Sequence, residues 1–154
     1  MLFILLWFML SAAFVDLLGY WLHRLSHKKW SPLYKPHMTH HVINYPPQSV
    51  MSKTYRSSRI DSLAIWFLPF GIVYIIAVVL LKAPHPHMII AGGATVALLS
   101  SIIHDATHVE RSFVWQHKFF KNCAIRHHAH HFKMRRNYGI LTGLWDQIFQ
   151  TRRR

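Results

Sequence analysis

A chain of 154 residues with 18 Lys and Arg against 5 Asp and Glu has a formal charge of +13, yet 52% of it is apolar. That pairing excludes a disordered basic tail, and a lone cysteine, Cys123, excludes an intramolecular disulfide scaffold. The length suits a single domain, 1–154.

Residues 1–22 contain one charge, Asp16, and are long enough to cross a hydrocarbon layer of roughly 30 Å. A cleaved leader would have Lys or Arg ahead of the apolar run and small residues after it. Here no basic residue precedes the run, which continues into His23 and His27, so a retained helix is expected over 3–27. Asp16, Tyr20, His23 and His27 recur at spacings of four, three and four and share one stripe of that helix. An ionisable group in an apolar span faces a partner, which makes Asp16 a candidate support for a nearby site. Lys28, Lys29 and Trp30, followed by Pro32, read as the point where the helix leaves the membrane.

A polar, basic segment, 28–60, follows. Pro36 stands where a short helix can begin, and Tyr45-Pro46-Pro47 ends it, so His37, His40 and His41 share a helical turn. Apolar stretches over 63–81 and 88–104 are joined by a tight turn containing Pro84 and Pro86, with Pro69 and Gly71 as a kink in the first of them. This hairpin returns the chain to its starting side, so His104 and His108 emerge on the same side as His23 and His27. His85 and His87, at the far turn, and His117 are expected to be bystanders. The last segment, 105–154, contains His127, His128, His130 and His131. Its tail has an apolar stripe at Leu144, Trp145, Ile148 and Phe149 that lies at the interface or packs over the site.

The expected fold is therefore all-α: an integral-membrane helical bundle with about three apolar spans and a cytosolic helical cap carrying the histidines. Seventeen of the eighteen Lys and Arg lie in 24–59 or 111–154, which places both segments on the cytosolic side of a multi-pass protein, in an endoplasmic reticulum or bacterial inner membrane. The basic residues follow no nucleic-acid-binding motif, so no nucleic acid partner is expected.

Ten of the fourteen histidines obey helix-face spacing. His23/His27 and His104/His108 are pairs at i,i+4, while His37/His40/His41 and His127/His130/His131 are triplets that can point imidazoles from one turn at a common spot. His128 is turned about 100° from its neighbours and is a candidate to support them. Clustered imidazoles repel once protonated, and a metal ion supplies the missing counter-charge. Ten ligands overshoot one zinc site and suit two metals with about five imidazoles each, leaving positions open for oxygen species or substrate. No His-Glu-x-x-His is present, so the base of a metalloprotease is lacking. Imidazole suits iron, copper, zinc and nickel alike. Neutral ligands at the mouth of a membrane fit oxidation of apolar substrates, and the competing reading is a non-catalytic membrane carrier of metal or haem, whose ligands would line a path near mid-bilayer.

The ordered set of His23-x-x-x-His27, His37-x-x-His40-His41 and His127-x-x-His130-His131, with Asn137-Tyr138-Gly139, Leu144-Trp145-Asp146 and Phe149-x-Thr151 behind it, resembles the fatty acid hydroxylase and sterol desaturase superfamily over about 14–151. The resemblance implies an oxygen-dependent membrane enzyme with two iron ions, zinc sometimes taking their place in isolated protein. The substrates it implies are fatty acyl, sphingolipid, sterol or carotenoid lipids, hydroxylated or desaturated at a C–H bond. It assigns the metal to His23, His27, His37, His40, His41, His104, His108, His127, His130 and His131. Asp16, Asp105, His128, Asn137 and Asp146 are the candidates for holding those rings in place. Electrons would come from a separate cytochrome-b-type or ferredoxin-like carrier, for which the basic cytosolic face offers a dock, as it does for the headgroups of membrane lipids. Members of the superfamily commonly have four spans in two hairpins, of which this chain contains three.

Overall fold

The computed structural model describes residues 2–56 and 63–153, with the backbone alone for 63–67. Residues 57–60, the end of the first basic segment, lie outside the described residues. Every regular element among them is helical: α1 (Leu2–Ser26), α2 (Tyr34–Thr39) running into a π-turn (His40–Asn44), α3 (Leu63–Leu80), α4 (Pro86–Thr107), α5 (Lys118–Phe132) and α6 (Leu144–Ile148), with short 3₁₀ turns at Pro47–Ser49 and Phe113–Trp115. Among the described residues one β-bridge, Ser52 to Val109, pins the polar segment to the end of α4.

The helices α1 and α4 form the central pair. Their contact rests on two glycines. A Cβ at Gly92 would run into the Phe8 backbone carbonyl, and one at Gly93 would press on Val15, Ser11 and Tyr74. Small residues at this crossing let two backbones meet where no water competes for their contacts. Ser11 adds a polar tie, its hydroxyl donating to the Ile89 carbonyl at 2.5 Å and pairing with the Tyr74 hydroxyl of α3 at 2.6 Å. Gly92→Leu is accordingly expected to separate α1 from α4, since the obstacle is backbone that cannot turn aside. The predicted outcome is a loss well above the 1–3 kcal/mol of ordinary overpacking, seen as failure to recover monodisperse protein in detergent, whereas Ala97→Leu, beside open space, keeps the fold.

Among the described residues two helices, α1 and α4, are long and apolar enough to cross a membrane, while the apolar stretch of α3 described from Leu68 to Leu80 is shorter. The outer faces of all three carry large exposed apolar side chains, among them Phe3, Leu6 and Leu10 on α1, Ile72 and Ile76 on α3, and Leu98 and Ile102 on α4. An apolar surface of that extent is untenable in water and natural against acyl chains. The chain continues as a helix through Pro69. At the turn, Lys82 and His85 take left-handed backbone conformations and Pro86 opens α4. Because α4 extends to Thr107, three residues past the expected end, His104 lies inside the helix and His108 caps it.

The segment after α4 packs against the later turns of α4 and against α1. A small core of Ile103, Val114, Cys123, Ala124 and Leu141 joins α4, α5 and the tail. The tail is locked to α1 by Asp16, whose Oδ2 accepts from Thr142 Oγ1 at 2.7 Å and Trp145 Nε1 at 3.0 Å. Phe149 stacks on Tyr20, with ring centroids 5.2 Å apart.

Candidate metal centre

Where α1, α4 and α5 end on the same side and the α2 segment crosses beneath them, imidazoles fill the space between. His23, His27, His37, His41 and His130 form one group and His40, His104, His108 and His127 a second, the ligand nitrogens within each lying within 4.8 Å of one another. His131 flanks the second group, its Nε2 3.2 Å from that of His127. All ten histidines singled out by spacing are thus in one place. His85, His87 and His117 are in neither group. His128 is outside as well, its Nε2–H donating to the Thr107 carbonyl while its ring stacks beside His108.

The grouping differs from the expected one in an instructive way. Neither triplet points at a common spot. In each, the i,i+4 pair goes one way and the i+3 residue the other: His37 and His41 join the first group while His40 joins the second, and His127 and His131 sit with the second while His130 joins the first. Helix geometry accounts for this, since i+4 is turned by about +40° from i and i+3 by about −60°, leaving consecutive residues 100° apart. Each pocket therefore contains two i,i+4 pairs and one imidazole borrowed from the other triplet.

The rings are held by acceptors that fix their tautomers. Nδ1–H of His23 donates to the Tyr138 carbonyl (2.6 Å), of His108 to Val50 (2.7 Å), of His130 to Arg136 (2.6 Å) and of His131 to Tyr45 (2.8 Å), while His104 Nδ1–H meets the Asp105 carboxylate at 3.1 Å. A carbonyl can only accept, so in these rings the proton is on Nδ1 and Nε2 offers a bare lone pair inward. The bare nitrogens nevertheless crowd together. His27 Nε2 lies 3.0 Å from that of His130 and 2.9 Å from that of His37, and His127 Nε2 lies 3.0 Å from that of His108 and 3.2 Å from that of His131. One proton on His27 or on His127 cannot serve two such contacts as ordinary hydrogen bonds. Two nitrogens bound at right angles to one ion at about 2.1 Å stand about 3.0 Å apart, so the crowding is that of a ligand set. His23 Nε2 and both ring nitrogens of His40 are buried with no hydrogen-bond partner, as a site built for a cation requires.

Electrostatics agree. Burial, with neighbouring imidazoles adding to it, holds His37, His40, His41, His127 and His130 well below the ordinary histidine value of 6.5. Burial likewise lowers His27 to about 4 and His131 to about 3. All stay neutral at physiological pH and ready to bind a metal. Because the folded values lie below the unfolded one of 6.5, the unfolded chain takes up protons that the fold refuses, and stability rises with pH. The expected result is a melting temperature and metal content that are flat above about pH 7 and fall as the pH drops from 6.5 towards 4 and then 3. Thermal scans with metal analysis across this window check it; a stability maximum on the acid side would contradict it.

Asp105 is placed as a support for His104, but Asp16 is not a support for any imidazole, because the tail supplies its donors. Asp146 is completely buried and accepts from the Tyr138 and Gly139 N–H groups, holding the peptide whose carbonyl orients His23. Asn137 takes a left-handed conformation, and its Oδ1 accepts from Arg153 N–H. Sequence reasoning missed Tyr45, read only as a helix terminator. Its ring stacks on His108 at 4.0 Å and its carbonyl orients His131. Tyr138, seen only as part of a motif, covers the first group, its ring 5.4 to 5.7 Å from those of His130, His23 and His27.

Comparison with known proteins bears directly on this arrangement. The family model for fatty acid hydroxylases matches residues 8–151, nearly the whole chain. The chain belongs to the fatty acid hydroxylase family. Among relatives, the fatty acid 2-hydroxylase of Mus musculus is 30% identical and that of Rattus norvegicus 29%, each alignment taking in 94% of this chain and 38% of the relative. This family member thus spans about two fifths of the length of those relatives. No solved structure matches it. In this fatty acid hydroxylase fold the matched region contains every histidine of both pockets, from His23 to His131.

Proposed function

We propose that the chain is the metal-binding catalytic core of a lipid hydroxylase that inserts oxygen into a fatty acyl C–H bond, at carbon 2 by analogy with its named relatives. The observation that supports this reading most is the pair of buried, all-imidazole pockets at the ends of apolar helices. Two iron ions bound there would supply the redox chemistry by which O2, two electrons and two protons convert C–H to C–OH with release of water. The electrons come from a separate carrier protein. His23, His27, His37, His41 and His130 would hold one ion, and His40, His104, His108, His127 and His131 the other. Neutral ligands leave the ions their full charge while the rings pack against an apolar substrate.

The chain's own residues do the rest. Tyr138 and Tyr45 lie against the rings and keep water from them. A narrow apolar cleft lined by Val15, Leu18, Phe70, Tyr74 and Ala97 runs between α1, α3 and α4 on the lipid side of the pockets, suited to acyl methylenes. Three spans, with the basic segments on the cytosolic side, complete the reading. A metal carrier would need ligands strung through the bilayer, whereas these imidazoles gather at the helix ends.

The test is reconstitution with ferrous iron, a reductant and lipid in nanodiscs, read by mass spectrometry. The expected product is a fatty acyl chain heavier by one oxygen, with label from ¹⁸O2. Absence of any oxygenated lipid from protein shown to hold two irons would overturn the hydroxylase reading, and an alkene product would move it to desaturation.

A further inference from the structure

The outward face of α5 and α6 takes no part in the histidine pockets, yet its composition is unusual. Phe119 and Ile125 on α5, and Leu144 and Ile148 on α6, are exposed, Phe119 by 63% and Ile148 by 55%. Between α5 and the residues that follow α6 lies an open groove of 270 Å³ lined by Asn122, Ile125, Arg126, Ala129, Arg152 and Arg153, with no acidic side chain among them. Arg126 donates from Nη2 to the Leu141 carbonyl at the base of the groove, and the exposed guanidiniums of Arg152 and Arg153 beside large apolar groups suit neither plain solvent nor a protein core.

The depth of this face shows what covers it. Trp145 and Thr142 bond to Asp16, seven residues before His23, which is about 10 Å down α1 from the metal pockets. Val96, against which the core joining α5 to α4 packs, is eight residues before His104, about 12 Å down α4. Exposed apolar side chains continue on α1 as far as Trp21 and on α4 as far as Ile102. The tail and the start of α5 therefore run alongside lipid-facing helix and do not sit above it.

We propose that α6 and the outer face of α5 lie in the headgroup layer, and that the Arg126, Arg152 and Arg153 groove binds the phosphate of an anionic phospholipid. This rests on the reading that α1 and α4 cross the membrane. Guanidiniums pair with phosphate oxygens through parallel N–H bonds, and Ile125, Leu144 and Ile148 meet the first methylenes of the acyl chains. An acidic protein partner fits less well, because the same face would bury four large apolar side chains at a depth a soluble protein does not reach.

The experiment uses the whole chain in nanodiscs, with Ile148→Cys labelled by an environment-sensitive fluorophore and Lys53→Cys, in the polar segment, as the control. Lipids brominated near the headgroup are expected to quench the label at 148 several-fold more than that at 53. Native mass spectrometry from detergent is expected to show phosphatidylglycerol retained over phosphatidylcholine, with the preference lost in Arg152→Gln/Arg153→Gln, whose side chains are surface-exposed. Equal quenching at both positions, or retention indifferent to the double variant, overturns the proposal. So does an acidic carrier protein that the double variant no longer binds while its lipids are unchanged. If the spanning reading itself were wrong, alkaline carbonate would strip the protein from membranes, which a failure of the groove alone would not cause.

Discussion

Alanine at His40 and alanine at His41 are expected to remove different metals, although the two residues are neighbours in sequence. His40 faces His104, His108 and His127, with ring centroids 4.7, 4.8 and 6.2 Å away, and both its nitrogens are buried without a partner. His41 belongs to the other group, its Nε2 3.0 Å from that of His37. Loss of either should cost more than the 10–100-fold typical of a residue that merely orients a ligand, because a direct donor is gone and the proposed reaction would use both ions. The predicted metal content is two per chain in the parent and about one in each variant. The remaining ion should report its ligands by Mössbauer or X-ray absorption spectroscopy, and the two variants should differ. If each substitution released both metals, or if the two spectra coincided, the imidazoles would form one shared cluster and the two-pocket description would fail.

How much of this could be read beforehand follows from what each signal constrains. Spacing of three and four places imidazoles on one side of a helix, and the ten rings it selects lie together in the fold. Spacing does not say where a second helix stands, and it is the second helix that decides whether the roughly 100° between His40 and His41 closes around one ion or spreads across two. The pairs His23/His27 and His104/His108 admitted no such ambiguity, since i and i+4 differ by only about 40°. Carbonyl partners were invisible for another reason: Tyr138, Val50, Arg136 and Tyr45 orient imidazoles through backbone oxygen, which any residue would supply. For Asp16 the limit is different: a polar group in an apolar helix announces a partner but not which one, and here the partners are Thr142 and Trp145 of the tail. The stripe Leu144, Trp145, Ile148 and Phe149 splits in the fold, with Trp145 and Phe149 against α1 and Leu144 and Ile148 outward.

Asp146→Ala is expected to destabilise the fold and to empty one pocket before the other. The carboxylate is fully buried and takes three donors, Tyr138 N–H at 2.8 Å and Thr151 Oγ1–H at 2.7 Å on Oδ1, and Gly139 N–H at 2.8 Å on Oδ2. Alanine strands the two N–H groups, while the Thr151 hydroxyl keeps the Tyr20 hydroxyl as a partner at 3.0 Å. At about 1–3 kcal/mol for each buried donor left unmet, the loss is at least about 2 kcal/mol, a sizeable part of the 5–15 kcal/mol that holds a domain together. Helix α6 stays near Asp16 through Trp145 and Thr142, so the damage concentrates on the 137–139 turn. There it reaches the metal. Once the Tyr138 peptide can rotate, its carbonyl no longer holds the proton on His23 Nδ1, and the Nε2 lone pair is lost to the pocket for part of the time. Affinity in the His23 pocket should fall by about 10–100-fold while the His40 pocket keeps its ion. Asp146→Asn should fall between, since its NH2 opposes one of the three donors. Metal titration with thermal unfolding reads both effects. Unchanged melting, or equal weakening of the two pockets, would show that the turn and the ring are not coupled.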